Sequence, residues 1–519
     1  MTEKVLVKPN AYYDSATLMA AAQKVKGGQG INEAVAVMAT PANKELLKNV
    51  GLFSPEAEVS TARDLVLAVQ GDNEKVVTAA LLMIEEQLAG AKEDETTDDK
   101  APISIAEALE KMPEANLALI SVAGQYAVRE ARNALDSGLN VMVFSDNVPE
   151  EAELALKELA DQKGLLMMGP DCGTALIGGT PLAFANVVRQ GKIGIVAAAG
   201  TGLQEVSTLI HRMGGGISHG IGTGGRDVKA TVGGRQLLAG IRALEADRTT
   251  AVIVVTGKPP APTVEQSLLS QIKQCRKPVI VNLLGGNAES AATVGASFAP
   301  TLEDAACLAM RAIGHQAEMS KEIRDDLISR FSPSQRWLRG LFTGGTLCYE
   351  SQVVLDDKLG PVYSNAPLRP EQETEDISYH GHVVFDLGDD RFTRGRPHPM
   401  IEPTIRGEWL AKVATDPETA VVLMDFVLGY GAHREPVLAI AKELVAAQKE
   451  AAKHGGQLMF IASVTGTEDD PQVLSKQVRA LEALGVIVLP SNRQAAEQAA
   501  LVLDKLEGGR TDVNSRAKG

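Results

Sequence analysis

One pattern recurs along this chain: an uninterrupted apolar run, a turn of small residues, then a helix-forming stretch. Its clearest instance is Lys192 to Gly202, KIGIVAAAGTG, where a strand over Ile193 to Ala197 runs into a helix over Leu203 to Met213. Small residues at Ala199, Gly200, Thr201 and Gly202 leave backbone N–H groups free to approach a ligand at a helix N-terminus. Such a terminus carries about half a positive elementary charge and unsatisfied donors, which suits a phosphoryl group. Packing alone can also demand small residues in a tight turn. Two further turns weigh against packing as the whole reason: Thr343-Gly344-Gly345-Thr346, and Gly429-Tyr430-Gly431-Ala432-His433. Each lies between an apolar strand and a helix, and together they favour binding of phosphate or a phosphoanhydride.

Wholly apolar strands alternating with helices predict an α/β chain of parallel sheets covered on both faces. At 519 residues the chain exceeds a single core and divides into several domains. Residues 1–90 read as a small α/β domain with strands VLVKP, EAVAVMA and DLVLAV, closed by the charged linker AKEDETTDDK at 91–100. Residues 101–188 read as a Rossmann-like run of βα units. Its strands end in Ser121-Val122-Ala123, in Ser145-Asp146-Asn147, and in the turn Gly169-Pro170-Asp171-Cys172-Gly173. Ligands bind beyond the carboxyl ends of such strands, so these turns outline a cleft. Cys172 in it reads as a small buried filler rather than a nucleophile. Residues 190–316 and 336–506 read as two further α/β domains, the glycine-rich stretch 214–225 as strand-end turns, and 316–335 as a linker with a polar helix.

Charge and cysteine usage exclude several partners. A net charge of −15 argues against a nucleic-acid backbone. No apolar run approaches the ~20 residues that span a bilayer, and MTEKVLVKPN lacks a signal-peptide core. The four cysteines form no CxxC pair, so neither a disulfide framework nor a zinc site is expected. These features predict a cytoplasmic protein acting on a small molecule.

The turns SVAG at 121–124, SDNVP at 145–149 and GPDCG at 169–173 resemble those that hold coenzyme A in the succinyl-CoA synthetase α subunit. GKIGIVAAAGTGLQE at 191–205 resembles that subunit's phosphate-binding strand and helix start; HVVFDLGDD and MDFVLGYGAHREP resemble the carboxyl-terminal domain of the β subunit. Their order, with GPDCGTAL and the GGTL turn, is most similar to the FdrA family, a fused branch of that superfamily. The resemblance implies a CoA-binding-type domain at 101–188 and two flavodoxin-like ligase-type domains. It implies CoA or a nucleotide as cofactor, and phosphate or an acyl or carbamoyl phosphate as substrate. Additional enzyme subunits in an oligomer are also implied, as is a role for Glu205 in steadying a phosphohistidine. Members are described as acyl-CoA synthetases, and the family is implicated in allantoin breakdown as a subunit of an oxamate carbamoyltransferase.

Two departures redirect the chemistry. The synthetases phosphorylate a histidine in a GHAGA loop, whereas here PVIVNLLGG runs into Asn287-Ala288-Glu289 and no histidine lies between His219 and His315. Nor does any stretch resemble the ATP-grasp module, so a nucleotide would have to be split on a partner chain. Transfer of a carbamoyl or acyl group to or from phosphate therefore leads. An acyl-CoA synthetase working with a nucleotide-binding partner follows, and a CoA- or nucleotide-binding scaffold without turnover is third. His398 and His433 are the candidate acid/base or electrophilic groups. Arg394, Arg396 and Arg406 near His398 suit an anionic ligand, and Asp386, Asp389 and Asp390 form either a Mg2+ site or a solvated turn.

Overall fold

The structure is a computed structural model describing all residues except 1, 12, 14, 27, 94–100, 325–330, 394–396, 454 and 517–519. Two compact units are resolved, one formed chiefly by residues 1–102 and one by 103–393 with 398–519.

In the first unit three strands, Thr2–Lys8, Ile31–Met38 and Leu65–Gly71, form an antiparallel sheet with the last in the centre. The period-2 geometry of a strand explains the all-apolar run of that central strand. Leu65, Leu67 and Val69 face the helices Ser15–Lys26 and Glu74–Glu93, while Val66 and Ala68 pack on the opposite face with Leu47, Leu52 and Ala57.

The second unit holds three sheets. Leu117–Ile120, Asn140–Val143 and Met167–Met168 pair in parallel in chain order. The next sheet has seven strands and the last six. Five parallel strands of the seven-stranded sheet are, in chain order, Gln190–Ala197, Ile217–Gly222, Val252–Gly257, Val279–Leu283 and Ser297–Phe298. In the six-stranded sheet their counterparts are Trp337–Phe342, His382–Asp386, Thr419–Val427, Met459–Thr465 and Ile487–Leu489, with the short Val362–Tyr363 added at the edge. Both sets run in the spatial order 2-1-3-4-5, the flavodoxin-like winding. One hydrophobic core extends from one sheet to the other through the helices Gly200–Arg212, Leu302–Ala312, Gly345–Leu359 and Asn492–Arg516. Fully buried leucines in that layer, such as Leu203 and Leu347, each stabilise it by about 1.5–3 kcal/mol.

Four sequence expectations need correction. The sheet within residues 1–90 is antiparallel and not one of the parallel sheets expected of the chain, because Leu65–Gly71 inserts between the other two strands and runs opposite to both. The hairpin Thr174–Ile177 and Thr180–Ala183 belongs to the edge of the seven-stranded sheet, pairing antiparallel with Ile217–Gly222, and not to the preceding run that was to extend to 188. Much of the glycine-rich stretch 214–225 is a buried strand rather than turns. A Cβ at Gly222 would stand 2.4 Å from the Thr174 carbonyl oxygen, so glycine there permits close strand packing. Of the expected polar helix within 316–335, residues 325–330 lie outside the described residues; 316–324 and 331–335 are not helical, and the Glu322 and Arg324 amides donate instead to Gln494 and Gln498 of the final helix.

Candidate active site

In each flavodoxin-like sheet the first strand sits between the second and third, which opens a crevice beyond its carboxyl end. The first helix of each sheet starts in that crevice, and the two starts meet. Thr346 donates its backbone N–H to Thr201 Oγ1 at 3.4 Å. A Cβ at Gly202 would lie 3.0 Å from Thr346 Cγ2, and one at Gly344 would lie 3.0 Å from Thr201 Cγ2. The sequence-predicted turns at 199–202 and 343–346 are thus brought together.

The two termini differ electrostatically. Asp425, buried on the third strand, accepts from the Thr343 and Gly344 amides at 2.8 and 2.7 Å. Its other partner is the buried Arg406, at 2.7 Å. Burial pushes the Asp425 carboxyl up, and the guanidinium and amide donors oppose that shift. A protein carboxylate therefore already binds the turn that leads into the Gly345 helix, although the first turn of that helix has no side-chain cap of its own. The Gly200 helix begins at Ala199 without any side-chain cap, leaving its first amides for a ligand. Arg406, expected near an anionic ligand, is instead consumed by Asp425 and stacked 4.8 Å from the Phe426 ring centroid. Arg394 and Arg396 lie outside the described residues.

His398 borders this junction. Its Nδ1 accepts from the Met400 amide at 3.2 Å, which leaves the proton on Nε2. The Cβ position of Gly388 lies 2.6 Å from that Nε2, 2.8 Å from the Thr343 carbonyl oxygen and 3.2 Å from Asp386 Oδ1. Only glycine at 388 lets the imidazole approach so closely. Burial holds His398 down at about 4, so it is a neutral hydrogen-bond donor near pH 7. Its ring packs 6.1 Å from that of Phe184, which lies 5.5 Å from Phe144.

The three CoA-type turns interlock. Ser145 Oγ accepts from the Val122 amide at 3.1 Å, and the Asp171 amide donates to the Ser145 carbonyl at 3.0 Å. A Cβ at Gly124 would stand 2.2 Å from the Asp146 carbonyl oxygen. Ser121, Val122, Ala123, Asp146, Asn147 and Asp171 are exposed along the rim, whereas Ser145, Gly169 and Pro170 are buried beneath it. Cys172 also points inward; its thiol is pushed up to about 12 by burial, so it is packing and not a nucleophile. For a CoA moiety the rim fits in part: the helix Gly124–Asp136 begins without a side-chain cap, offering amides to a phosphate. The Asp146 and Asp171 carboxylates suit hydroxyl or amino donors.

Other sequence-predicted residues are placed elsewhere or otherwise engaged. Glu205 accepts from Thr465 Oγ1 and from the Asn492 amide, and it is 2% exposed. Both oxygens join the two sheets, so this carboxylate does not face a ligand. Gly429 and Gly431 lie against Ala185 and Phe184 rather than at a helix start, since regular helix resumes only at Ala441. His433 is turned into its own loop: Nδ1 accepts from the Glu435 amide at 3.0 Å, and its amide donates to the Met400 carbonyl. Asp386 points inward and is raised to about 6, chiefly by burial, while Asp389 pairs with Arg391. Among the described residues no His, Cys, Asp and Glu side chains gather as a metal site. Asn287 caps its own short helix through Glu289 N. Sequence reasoning singled out neither Asp425 nor Phe184, which only the fold brings to this junction.

Paired flavodoxin-like sheets joined through their first helices define a CoA-ligase-type protein. A family model described as CoA-ligase matches residues 341–502, and one described as AllF, heavy metal-associated domain, matches residues 1–105. The chain is 44% identical over 503 residues to YahF of Escherichia coli K12, described as an uncharacterized protein; the match covers 95% of this chain and 97% of that one. The chain belongs to the FdrA family, a fused branch of the succinyl-CoA synthetase superfamily. It is also 26% identical over 186 residues to succinate–CoA ligase (ADP-forming) subunit alpha 2 of Archaeoglobus fulgidus, covering 35% of this chain and 63% of that subunit. A solved structure, apo dinucleotide-forming acetyl-coenzyme A synthetase 1 of Ca. Korarchaeum cryptofilum, aligns with a TM-score of 0.33 and 17% identity, over 79% of this chain and 87% of that one. The name of the amino-terminal family implies a heavy metal. Residues 1–105 contain neither cysteine nor histidine, so they offer no thiolate or imidazole and do not fit one. Among the described residues no helix is long and apolar enough to cross a membrane.

Proposed function

We propose that this chain is the CoA-ligase-type subunit of an enzyme that transfers an acyl group between CoA and phosphate, with nucleotide bound by a partner chain. The observation that carries the reading is the uncapped start of the Gly200 helix facing the Thr343–Thr346 turn. The amides of Gly200 to Gly202 would hold the phosphate oxygens of an acyl phosphate, stabilising charge that grows as the acyl–oxygen bond breaks. His398, neutral and with its proton on Nε2, would donate to the acyl carbonyl oxygen. Phe144 and Phe184 beside it would exclude water, which protects the anhydride from hydrolysis. The exposed turns at Ser121–Ala123, Asp146–Asn147 and Asp171 would seat CoA, which when bound supplies the thiol nucleophile. Family membership and the succinate–CoA ligase relative support this reading.

A second reading, acyl or carbamoyl transfer to or from phosphate of the oxamate carbamoyltransferase type, is favoured by one observation. The loop after Val279–Leu283 carries Asn287 in place of an imidazole, so no phosphorylated histidine can form there. Thermal-shift titration of the intact chain with CoA, acyl-CoAs, ATP, phosphate and carbamoyl phosphate separates the two. A ligand at 100 times its dissociation constant stabilises by about 2.7 kcal/mol. Stabilisation by CoA or acyl-CoA is expected. A response to carbamoyl phosphate without one to CoA would replace the first reading with the second, and no response to any of them would leave the scaffold.

A further inference from the structure

Lys258 stands where the two helix starts meet, on the seven-stranded sheet's side. It follows the strand Val252–Gly257 at its carboxyl end, and the Cβ position of Gly257 is 3.3 Å from Ala198 Cβ, beside the uncapped start of the Gly200 helix. The side chain reaches across to the other helix. Its Nζ lies 5.4 Å from the Tyr349 ring centroid, and its charge acts on Cys348 and Asp386. No hydrogen bond or ion pair links this ammonium to another described residue.

Two positive features therefore converge with little to answer them. The Gly200 helix contributes the positive end of its dipole. Lys258 adds a full charge, partly offset by Asp386, whose Oδ2 lies 2.6 Å from the Cβ position of Gly345. Asp425 does not help, because its carboxylate is shared between Arg406 and the Gly345 helix start. A second observation points to a ligand at the same place. Thr346 is only 2% exposed, and its Oγ1 has no hydrogen-bond partner among the described residues, although its N–H meets Thr201. Buried hydroxyls are ordinarily satisfied, so an orphaned one where two helix starts meet marks a missing acceptor or donor.

We propose that Lys258 is the cationic anchor for the phosphoryl group of inorganic phosphate or an acyl phosphate at the start of the Gly200 helix. A fixed, non-covalent charge then serves in a site whose neighbouring loop carries Asn287 and no imidazole. The phosphoryl group is never passed to the protein: as the thiol forms the carbon–sulfur bond and the acyl–oxygen bond breaks, it departs as inorganic phosphate carrying the thiol's proton, held by Lys258 and the open amides. Lysine suits this task as a point charge that does not require bidentate geometry. This assignment rests on the CoA-ligase-type reading of the same junction.

The test is calorimetric titration of inorganic phosphate, acetyl phosphate and CoA into the full chain and its Lys258→Met and Lys258→Arg variants. Lys258→Met is expected to weaken phosphate and acetyl phosphate at least tenfold while leaving CoA affinity unchanged, and Lys258→Arg to restore part of the loss. Phosphate binding by Lys258→Met equal to that of the unmodified chain would overturn the assignment and leave the CoA-ligase reading standing. Absence of phosphate binding in the unmodified chain would overturn both. A measurement independent of any variant is amine acetylation followed by peptide mass spectrometry. Phosphate is expected to slow modification of Lys258 at least several-fold and not that of the exposed Lys442; equal rates at Lys258 with and without phosphate would overturn the assignment.

Discussion

Thr346 and Thr201, 145 residues apart in sequence, join the starts of two helices through a backbone N–H and a side-chain hydroxyl 3.4 Å apart. Neither helix has a side-chain cap among the described residues, but the junction is asymmetric, since the Asp425 carboxylate binds the Thr343 and Gly344 amides of the turn before the Gly345 helix and no carboxylate binds the turn before the Gly200 helix. Anion chemistry is therefore assigned to the Gly200 side.

Gly200→Val tests that side. The Cβ position of Gly200 lies 2.8 Å from Thr174 Oγ1, so a branched side chain must displace the hydroxyl that donates to the Phe184 carbonyl. The glycine is required by this close approach; Gly200 is not among the positive-φ residues. Overpacking is expected to cost about 1–3 kcal/mol in denaturant unfolding, with phosphate affinity in the folded fraction falling at least tenfold. Unchanged affinity would make the turn purely structural.

Asp425→Asn should be strongly destabilising. It leaves the buried Arg406 guanidinium without its carboxylate, and breaking such a pair costs about 3–5 kcal/mol. Urea unfolding measures the loss, and the double variant Asp425→Asn with Arg406→Met is expected to recover a substantial part of it.

Glu350 predicts a pH dependence. Buried against Asn492 Nδ2 and the Leu302 amide, it is raised to about 8, chiefly by burial. Because its folded value lies above the ordinary carboxylate value, the folded state binds more protons between about pH 4.5 and 8. Stability from this group is full below that window and is lost as pH rises through it. Glu350→Gln should flatten the fall in unfolding free energy between pH 5 and 8. An unchanged slope would place the titration elsewhere.

His398→Gln and His433→Gln separate two candidate groups. Removing one preorganised donor costs about 10²–10³-fold in turnover, so acyl-CoA formation or its reverse should fall that far with His398→Gln. His433, turned into its own loop, should matter within about twofold. With its value near 4, His398 should leave the rate free of a histidine titration between pH 5.5 and 8.

Incubation with ATP and Mg2+, or with an acyl-CoA and phosphate, should leave the chain unphosphorylated by intact-mass measurement at neutral pH. An asparagine amide cannot replace an imidazole nucleophile, because its nitrogen lone pair is delocalised. A phosphate adduct on His398 or His433 would restore a phosphohistidine relay.

Much of the architecture was legible because burial on both faces writes itself directly into sequence. Strands such as Val252–Gly257 and Thr419–Val427 are buried at every position and so read as continuous apolar runs. The turns at Gly200 and Gly345 announced helix starts because the small residues there are local requirements. The strand Ile217–Gly222 was missed for the opposite reason. Its glycines are dictated by Thr174 and Leu203, which approach from other segments, and a glycine-rich run reads locally as turn.

The sequence by itself determined the parallel βα winding of the two flavodoxin-like sheets, the small-residue turns before the helices and the absence of an imidazole at Asn287, all of which depend on neighbours within a few residues. Tertiary structure alone decided which of those turns remains open to a ligand. Glu205 and Arg406 looked available in sequence, but Glu205 is bound by Thr465 and Asn492 and Arg406 by Asp425. Lys258 looked ordinary, yet among the described residues its ammonium meets the Tyr349 ring and no hydrogen-bond or ion-pair partner, where two helix starts converge. Whether a polar group is satisfied depends on partners tens to hundreds of residues away, and packing brings those partners within hydrogen-bond distance only once the sheets have closed on their shared helices.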